Sequence, residues 1–215
     1  MWFILTTMLD LIAGIRRDYK LREFSESAAD PNAIKQFEKW WREAMDSKID
    51  EVNAMTLATA SSDGLPSARI VLLKGFDEKG FVFFTNYNSY KAQQLAENPR
   101  ACLVFFWKEL ERQVRITGLI TKTDAAISDE YFKSRPEGSR RSAIASPQST
   151  VIESREWLEQ KVADVTEVER PDNWGGYILK PVTIEFWQGR SSRLHDRLQY
   201  NLQADGLWKI ERLAP

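Results

Sequence analysis

The spacing of apolar residues changes from a helical to a strand-like period near residue 50. Between Ile34 and Met45, apolar side chains recur every three or four positions, after the helix-start signal Asp30-Pro31. We therefore predict an amphipathic helix over residues 31–47 with Asp30 as its N-cap. Beyond residue 50, short runs of β-branched and aromatic residues alternate with turn signals that contain Gly and Asp, which is typical of antiparallel strands.

The order of the predicted elements indicates a mainly β fold of the α+β class. Strands do not alternate with helices as in a Rossmann domain, and the chain has no Gly-x-Gly-x-x-Gly or Walker-type loop. We expect a largely antiparallel β-barrel with peripheral helices. The predicted strands cover residues 54–60, 68–76, 80–85, 101–107, 112–121, 177–188, 193–200 and 207–213. The remaining predicted helices cover residues 8–19, 89–97, 124–133 and 149–165.

Composition narrows the functional classes. The 215 residues include 30 Lys and Arg against 31 Asp and Glu, so the net charge is −1 and a general polyanion binder is not expected. A single cysteine and a single histidine exclude a disulfide framework and a multi-histidine or cysteine-rich metal centre. The apolar run at residues 1–5 is too short to span a bilayer. We expect no metal, nucleic acid or membrane partner, and a cytoplasmic location.

Residues 193–197 (Arg-Leu-His-Asp-Arg) are the strongest candidate for chemistry. Alternate residues of a strand face the same side, so Arg193, His195 and Arg197 are predicted to form one cationic row. Such a row is costly to bury without an anion, and guanidinium groups suit phosphate or carboxylate. The aromatic residues at 186–187 are expected to wall a flat ring against the row. The alternative is an exposed strand face with solvated charges.

A second set of residues suggests a phosphate site. Arg69 and Lys74 flank the apolar run 70–73, and unless a bulge intervenes, strand parity predicts that they face opposite sides of a strand and serve separate anions. Thr85 and the predicted helix start at residues 89–91 add hydroxyl groups, a helix N-terminus and a lysine. This combination suits a terminal phosphate, although ordinary edge-strand charges are an equal alternative for either cation alone.

A third set lies near the predicted end of a helix. Tyr131 and Arg135 are four residues apart and therefore share a helix face, and Ser139 follows in a segment that is otherwise typical of a basic surface loop. Gln113 and residues 148–149 offer neutral hydrogen bonds to a heteroaromatic ring, but each is also typical of a polar loop. Separate cationic, hydroxyl-rich clusters in a near-neutral protein indicate two phosphorylated ligands.

These residues fall in ordered stretches that resemble the pyridoxine (pyridoxamine) 5′-phosphate oxidase family over nearly the whole chain. Any one stretch is weak evidence, but the ordered set is specific. The stretches are residues 53–55 (Asn-Ala-Met), 69–75 (Arg-Ile-Val-Leu-Leu-Lys-Gly), 83–86 (Phe-Phe-Thr-Asn), 110–114 (Leu-Glu-Arg-Gln-Val), 131–136 (Tyr-Phe-x-Ser-Arg-Pro), 146–149 (Ser-Pro-Gln-Ser), 174–177 (Trp-Gly-Gly-Tyr), 185–189 (Glu-Phe-Trp-Gln-Gly), 193–197 and 212–215 (Arg-Leu-Ala-Pro).

The resemblance implies an FMN-binding split β-barrel and a homodimer with FMN at the subunit interface. It also implies an oxidase that converts pyridoxamine or pyridoxine 5′-phosphate to pyridoxal 5′-phosphate, by hydride loss from the substrate C4′ to flavin N5. Dioxygen then takes the electrons and yields hydrogen peroxide, and the amine substrate also releases ammonia. The implied organisation is an N-terminal extension with an active-site lid at residues 1–30, followed by one FMN-binding domain at residues 31–215.

Residue roles follow from the same resemblance. Arg193 and His195 match the pair that faces the substrate ring. The implied cofactor-binding residues are Arg69, Ile70, Val71, Leu72, Leu73, Lys74, Phe84, Thr85, Tyr90, Lys91, Gln113, Gln148, Ser149, Trp187 and Arg197. The implied substrate-binding residues are Lys74, Tyr131, Arg135, Ser139, Arg193, Leu194 and His195, with Arg16 and Tyr19 on the lid.

Three positions depart from the family pattern. Phe84 stands where many members have Tyr, Tyr90 stands where many have Arg, and residues 140–142 (Arg-Arg-Ser) replace a usual Gln-x-Gly. These changes bear on affinity and substrate preference more than on reaction class. Two alternatives therefore stay open: a related split-barrel flavin oxidase with another substrate, such as a phenazine-pathway enzyme, and a non-catalytic flavin or pyridoxal-phosphate carrier.

Overall fold

The first long helix begins two residues later than the sequence signal indicates. In the computed structural model, which describes Ile12 and residues 18–215, helix α1 spans Ala33–Asp46. Asn32 is its N-cap, because its Oδ1 accepts hydrogen bonds from the N–H groups of Ile34 (2.8 Å) and Lys35 (3.1 Å). Asp30 instead accepts a hydrogen bond from the N–H of Asn32. The helix predicted at residues 8–19 lies largely outside the described residues.

Nine strands and four further α-helices follow α1 in the described part of the chain. The strands are β1 (Ala54–Ala60), β2 (Pro66–Leu72), β3 (Gly75–Asp77), β4 (Gly80–Asn86), β5 (Arg100–Trp107), β6 (Arg112–Lys122), β7 (Trp174–Gln188), β8 (Asp196–Leu202) and β9 (Trp208–Arg212). The helices are α2 (Tyr90–Glu97), α3 (Ala125–Ser134), α4 (Glu137–Ala145) and α5 (Arg155–Ala163). Short 3₁₀ turns occupy Glu26–Ala28, Lys108–Leu110 and Ser191–Arg193.

All strand pairs are antiparallel, in the order β2-β1-β5-β6-β7-β4-β3. The long strand β7 is the branch point: one edge pairs with β6, while the other pairs first with β4 and then with β8, which pairs with β9. The register of the β6–β7 pair shifts between Thr117 and Gly118. Gly118 lies opposite Pro181, which has no N–H to donate to the neighbouring strand. The strands form a curled half-barrel, so the predicted antiparallel barrel with peripheral helices is confirmed.

Aromatic side chains fill the space between α1 and the sheet. Phe37 is fully buried, and its ring lies 4.8–5.3 Å from the rings of Phe76, Phe81 and Phe105. Edge and tilted contacts of this kind bury large apolar area at native density. Helix α1 is thereby fixed against one face of the sheet, and the site described below lies away from this core. Within the described part of the chain, no helix combines the length and apolar character needed to cross a membrane.

Several predicted elements are wrong in extent. The strand predicted at 177–188 begins earlier, at Trp174. The strand predicted at 68–76 is divided into β2 and β3, because the N–H groups of Leu73 and Lys74 donate to the carbonyls of Asn53 and Val82 instead. The strand predicted at 193–200 begins only at Asp196, after a 3₁₀ turn.

The helices around Pro136 also differ from the prediction. The helix predicted at 124–133 ends at Ser134, before Pro136, but Pro136 immediately precedes α4, a helix that was not predicted, at a position where its lack of an N–H costs nothing. The helix predicted from residue 149 begins only at Arg155, where Ser154 Oγ accepts a hydrogen bond from the N–H of Trp157.

Candidate active site

A cavity of about 730 Å³ opens between β2, β4 and the helices α2, α3 and α4. Most of the residues that were predicted to bind the cofactor or the substrate line this cavity. The predicted residues that line it are Arg69, Ile70, Val71, Leu72, Lys74, Phe84, Thr85, Tyr90, Lys91, Tyr131, Arg135, Ser139, Gln148 and Ser149, and Pro136 is the one lining residue that was not predicted. We call this space the main cavity.

The main cavity is strongly cationic. Arg69, Lys74, Lys91 and Arg135 line it, and no Asp or Glu is among its lining residues. Arg69, Lys91 and Arg135 are partly or fully buried, and buried cations without carboxylate partners are unfavourable unless an anion neutralises them. The prediction that Arg69 and Lys74 serve opposite faces of a strand is wrong, since the chain leaves β2 after Leu72 and both side chains reach the same cavity.

Neutral groups hold the guanidinium of Arg69. Its Nη1 donates to Thr59 Oγ1 (2.6 Å) and to the carbonyl of Leu57 (3.2 Å), and its Nη2 donates to Ser67 Oγ. Burial lowers the pKa of Arg69, although the group stays charged at any physiological pH. The positive charge is therefore fixed in place without being neutralised.

Lys91 lies at the first turn of α2 and is buried against the same wall. Its Nζ donates to Thr85 Oγ1 (3.2 Å), Gln148 Oε1 (3.3 Å) and Ser89 Oγ (3.4 Å), all of which are uncharged. Burial, followed by the charge of Arg69, lowers the pKa of Lys91 to about 8. An anion bound between Lys91 and Arg69 would offset both effects.

Aromatic side chains also line the main cavity. The rings of Phe84 and Tyr131 stack at 4.0 Å, and Phe84 also stacks on Trp174 at 5.6 Å. The guanidinium of Arg135 lies 4.8 Å from the Trp174 ring, and Lys74 Nζ lies 5.7 Å from the Tyr131 ring. The Phe84 departure therefore places a ring in the stack where the family's tyrosine would add a hydroxyl.

Arg135 has a buried hydrogen-bond donor in this cavity that no described residue satisfies. Its Nη1 is buried and has no hydrogen-bond partner among the described residues. Burial also lowers the pKa of Arg135. A buried guanidinium N–H without an acceptor is costly, so this atom points to an anion that the protein binds.

A second group of predicted residues lies in another part of the molecule. Tyr19, Trp187 and His195 form an aromatic cluster, with the Trp187 and His195 rings 4.6 Å apart and the Tyr19 ring 5.7 Å from Trp187 and 5.9 Å from His195. The N–H of Arg190 donates to His195 Nδ1 (3.1 Å). We call Tyr19, Trp187 and His195 the C-terminal cluster.

The surroundings of His195 determine its protonation state. Burial, followed by the charge of Arg193, lowers its pKa below the ordinary value of 6.5. The imidazole is therefore neutral at pH 7, and its Nδ1 is an acceptor because it takes the Arg190 N–H. Its Nε2 consequently carries the proton and is a donor.

The predicted cationic row at residues 193–197 is wrong. Ser192 and Arg193 adopt left-handed backbone conformations with φ of 55° and 61°, so the chain turns before β8 begins. Arg193 and Leu194 are exposed, His195 is half-buried, and Arg197 lies in β8 opposite Trp187. Sequence alternation alone cannot reveal this turn, because serine and arginine rarely adopt positive φ.

The remaining predicted residues lie outside the main cavity. Leu73 is buried in the core, and Gln113 of β6 is the strand partner of Trp187. Arg197 donates from Nε to Glu185 Oε1 (2.9 Å) and from Nη1 to the carbonyl of Ala214 (2.7 Å). Arg16 lies outside the described residues. Within residues 18–215, no group of three His, Cys, Asp or Glu side chains is placed to hold a metal ion.

The architecture matches that of solved FMN-binding split-barrel proteins. A pyridoxamine 5′-phosphate oxidase-related, FMN-binding protein from Nostoc punctiforme has a TM-score of 0.73 at 18% identity, covering 86% of this chain and 100% of that one. PhzG from Burkholderia lata 383, solved with tetrahydrophenazine-1-carboxylic acid, has a TM-score of 0.85 at 30% identity, covering 89% and 97%. The class is therefore the split-barrel fold.

Sequence comparison resolves the family within that class. Residues 41–169 match the model described as pyridoxamine 5′-phosphate oxidase, and residues 174–215 match the pyridoxine 5′-phosphate oxidase C-terminal dimerisation region. Relatives named pyridoxine/pyridoxamine 5′-phosphate oxidase are 56% identical in Nostoc sp. (95% of this chain, 98% of the relative) and 53% identical in Cupriavidus metallidurans (95% and 99%). The chain belongs to the pyridoxine/pyridoxamine 5′-phosphate oxidase family, as the resemblance predicted.

Proposed function

We propose that this protein oxidises pyridoxamine 5′-phosphate and pyridoxine 5′-phosphate to pyridoxal 5′-phosphate, with FMN as the redox cofactor and dioxygen as the final electron acceptor. The observation that carries the proposal is the main cavity, which is lined by four cations and by no carboxylate. The shared name of the relatives at 53–56% identity supports the same activity.

The residues present fit FMN. Arg69 and Lys91, both held by neutral groups, would bind its phosphate, and Thr85 and Gln148 offer hydroxyl and amide groups beside them. When bound, FMN supplies a two-electron acceptor for the hydride that leaves the substrate C4′. The protein contributes charge neutralisation and orientation, which require a rigid wall such as the β2–β4–α2 corner.

A second group of side chains suits the substrate phosphate. Arg135, with its unpartnered Nη1, and Lys74 lie on the aromatic side of the main cavity together with Tyr131 and Ser139. A guanidinium, an ammonium and two hydroxyls match the acceptor oxygens of a phosphate ester. The substrate ring would then lie between this group and the flavin, excluded from bulk water.

The separation of the C-terminal cluster from the main cavity supports a site completed by two subunits. The match of residues 174–215 to a dimerisation region supports a homodimer. Ile70 on β2 and Phe106 on β5 are 64% and 55% exposed, which leaves apolar surface on the outer sheet face for a second copy. We propose that Arg193 and His195 of a second copy face the substrate ring across this interface. The neutral His195 would donate from Nε2 or exchange a proton there.

A peroxide assay tests the proposed function. The purified protein is expected to be yellow and to release hydrogen peroxide and pyridoxal 5′-phosphate from either B6 phosphate. Pyridoxamine without its phosphate is the matched control, and it should turn over poorly because Lys74 and Arg135 lose their ligand. A colourless protein that cannot be reconstituted with FMN would refute the proposal.

A related flavin oxidase is the second candidate, because the fold is also close to that of PhzG. Turnover of a ring carboxylate, together with indifference to the phosphate of pyridoxamine 5′-phosphate, would favour it. Stoichiometric binding of FMN and B6 phosphates without peroxide release in air would instead indicate a carrier.

A further inference from the structure

A buried amide lies behind the guanidinium that we assign to the cofactor phosphate. Gln94, on α2, is 2% exposed, and its Oε1 accepts hydrogen bonds from Thr59 Oγ1 (2.5 Å) and Ser67 Oγ (2.6 Å). These are the same two hydroxyls that accept hydrogen bonds from Arg69. The Nε2 group of Gln94 donates to the carbonyl of Leu65 (3.3 Å), which fixes the orientation of the amide.

The directions of the hydrogen bonds that join Arg69, the two hydroxyls and Gln94 follow from the chemistry of the groups, and the two hydroxyl oxygens also lie 3.4 Å from each other. A guanidinium has only donors, so both hydroxyl oxygens must accept from Arg69. Each hydroxyl then turns its own hydrogen toward Gln94, whose amide oxygen has two lone pairs and accepts both. The orientation of Arg69 therefore depends on an acceptor at residue 94 that it does not touch.

The network also leaves part of the guanidinium free. Of the five N–H groups of Arg69, three donate to Leu57, Thr59 and Ser67, and the remaining two have no acceptor among the described residues. Arg69 lines the main cavity, so these groups are available to a ligand there. The uncharged side chains of Thr59, Ser67 and Gln94 thus orient the guanidinium of Arg69 without reducing the positive charge that it presents to a ligand.

We propose that Gln94 is a positioning residue that makes this site selective for a phosphorylated flavin, by orienting Arg69 through Thr59 and Ser67 without neutralising it. The inference rests on the proposed function, because it takes the FMN phosphate as the anion at Arg69. Glutamate is nearly the same size as glutamine and would accept from the same two hydroxyls. It would, however, place a negative charge next to the two hydroxyls that bind the guanidinium. That charge would partly neutralise Arg69 and weaken its attraction for a phosphate.

Flavin binding by the full chain, stripped of flavin, tests the proposal. FMN and riboflavin share the isoalloxazine ring and the ribityl chain and differ in the phosphate, so their affinities separate phosphate recognition from ring binding. Gln94→Glu is expected to weaken FMN binding about tenfold or more, as for the loss of one charge-assisted hydrogen bond, while riboflavin affinity stays within about twofold. Fluorescence titration of both flavins gives the two constants.

The neighbouring residue provides a matched control. Gln93 is exposed on the same helix, and its side chain donates to the carbonyl of Asn88. Gln93→Glu adds the same charge to the same helix but outside the network, and it should leave the ratio of FMN to riboflavin affinity unchanged. An equal fall in FMN affinity for both variants would overturn the proposal, because it would reveal a general charge effect.

Other outcomes are equally decisive. Equal weakening of FMN and riboflavin by Gln94→Glu would indicate a merely structural role and overturn the inference. If that variant does not fold, Ser67→Ala tests the same network without a new charge: it should weaken FMN about threefold or more and leave riboflavin unchanged, and unaltered FMN affinity would overturn the inference. Failure of the unmodified protein to bind FMN at all would instead refute the proposed function.

Discussion

The cations of the main cavity and those around the C-terminal cluster differ in their partners. In the cavity, Arg69 and Lys91 are held only by hydroxyls, amides and carbonyls. Around the C-terminal cluster, Arg190 pairs with Glu23 (2.8 Å) and Asp196 (3.3 Å). Arg197 in turn pairs with Glu185, and Arg212 pairs with both Glu26 and Asp196.

This difference separates cations that bind a ligand from cations that hold the fold. Arg212 joins β9 to the segment before α1, since it also donates to the carbonyl of Phe24 (3.3 Å). Hydrogen bonds to Glu26 and Asp196 raise the pKa of Arg212, and the hydrogen bond from Arg212 in turn lowers the pKa of Glu26 to about 2. A cation with its own acid needs no ligand, whereas the cavity cations lack such partners. Charge alone therefore does not identify a binding residue, but a charge that is both buried and without a carboxylate partner is a strong indication of one.

The largest expected effect tests this contrast directly. Arg135→Met removes a guanidinium whose buried Nη1 has no partner within the described chain, so we expect the KM for pyridoxamine 5′-phosphate to rise about 10- to 100-fold. The value of kcat should fall much less, because the lost contact is to the non-reacting phosphate. Steady-state peroxide release measures both constants.

Arg190→Met is the control for that experiment. This side chain already has two carboxylate partners, so its loss should change KM by no more than about threefold and should appear as a small loss of stability. A KM increase as large as that of Arg135→Met would mean that carboxylate pairing does not distinguish the two regions.

The second prediction concerns how the chain holds Tyr19 in the C-terminal cluster. A Cβ at Gly189 would lie 2.7 Å from Cγ and 2.9 Å from Cβ of Tyr19, so Gly189→Ala must displace the Tyr19 backbone. The following segment cannot shift freely, because Glu111 Oε2 accepts from the N–H groups of Lys20 (2.9 Å) and Leu21 (3.1 Å). We expect a loss of about 1–3 kcal/mol in the free energy of unfolding, measured by denaturant titration.

A matched glycine makes this measurement specific. A Cβ at Gly75, in β3, would meet no atom within 4 Å, so Gly75→Ala should leave the free energy of unfolding nearly unchanged or slightly higher. Gly189→Ala should also make the Tyr19–Leu21 segment more sensitive to trypsin. If both variants unfold at the same denaturant concentration, the close approach of Tyr19 is not a constraint on this protein.

Sequence reasoning found the residues of the main cavity but not the path that brings them together. Strand parity separated Arg69 from Lys74, since nothing in an apolar run shows that Leu73 and Lys74 bond to Asn53 and Val82 rather than continue the strand. Likewise, the left-handed turn at Ser192 and Arg193 contains no glycine, so the sequence has no signal that would predict it. The family motifs identified these residues correctly even where the predicted backbone was wrong, because a motif match depends on residue type and order and not on backbone conformation.

The network behind Arg69 marks a second limit. Thr59, Ser67 and Gln94 lie on three different elements, β1, β2 and α2, and each is an ordinary polar residue in its own stretch. Only the tertiary structure shows that they share hydrogen bonds. The antiparallel fold was easier to predict, because alternation and turn signals act locally and most strands follow one another in hairpins.

The third prediction uses the lowered pKa of Lys91, at about 8. Above this pH the ammonium loses its proton and the phosphate loses a charged partner, so FMN affinity should fall by up to about tenfold per pH unit. The phosphate is already a dianion at pH 7, and riboflavin should show no such slope. Fluorescence titrations between pH 7 and 9.5 measure both. Lys91→Arg should abolish the slope, and a slope that persists in this variant would exclude Lys91 as its source.

Lys91 should also make the free energy of unfolding depend on pH, in the direction opposite to its effect on FMN affinity. In the unfolded chain, Lys91 keeps its ordinary pKa of 10.5, so between pH 8 and 10.5 the unfolded state binds more protons than the folded state. The contribution of Lys91 to the free energy of unfolding should therefore increase with pH in this window, while FMN affinity decreases. Denaturant titration of flavin-free protein, compared with Lys91→Met, isolates this contribution. A decrease across the window would show that the folded-state pKa is not lowered.

The smallest expected effect tests the charge beside the C-terminal cluster. Burial and the charge of Arg193 both lower the pKa of His195, and burial has the larger effect, so Arg193→Ala should raise that pKa only part of the way toward 6.5. His195 is the single histidine of the chain, so its ring protons can be followed by NMR without assignment. The acidic limb of the pH–rate profile should move in the same direction if the neutral imidazole is the active form. A pKa that is unchanged by Arg193→Ala would mean that this exposed cation is screened by solvent, and that burial against Tyr19 and Trp187 alone keeps His195 neutral.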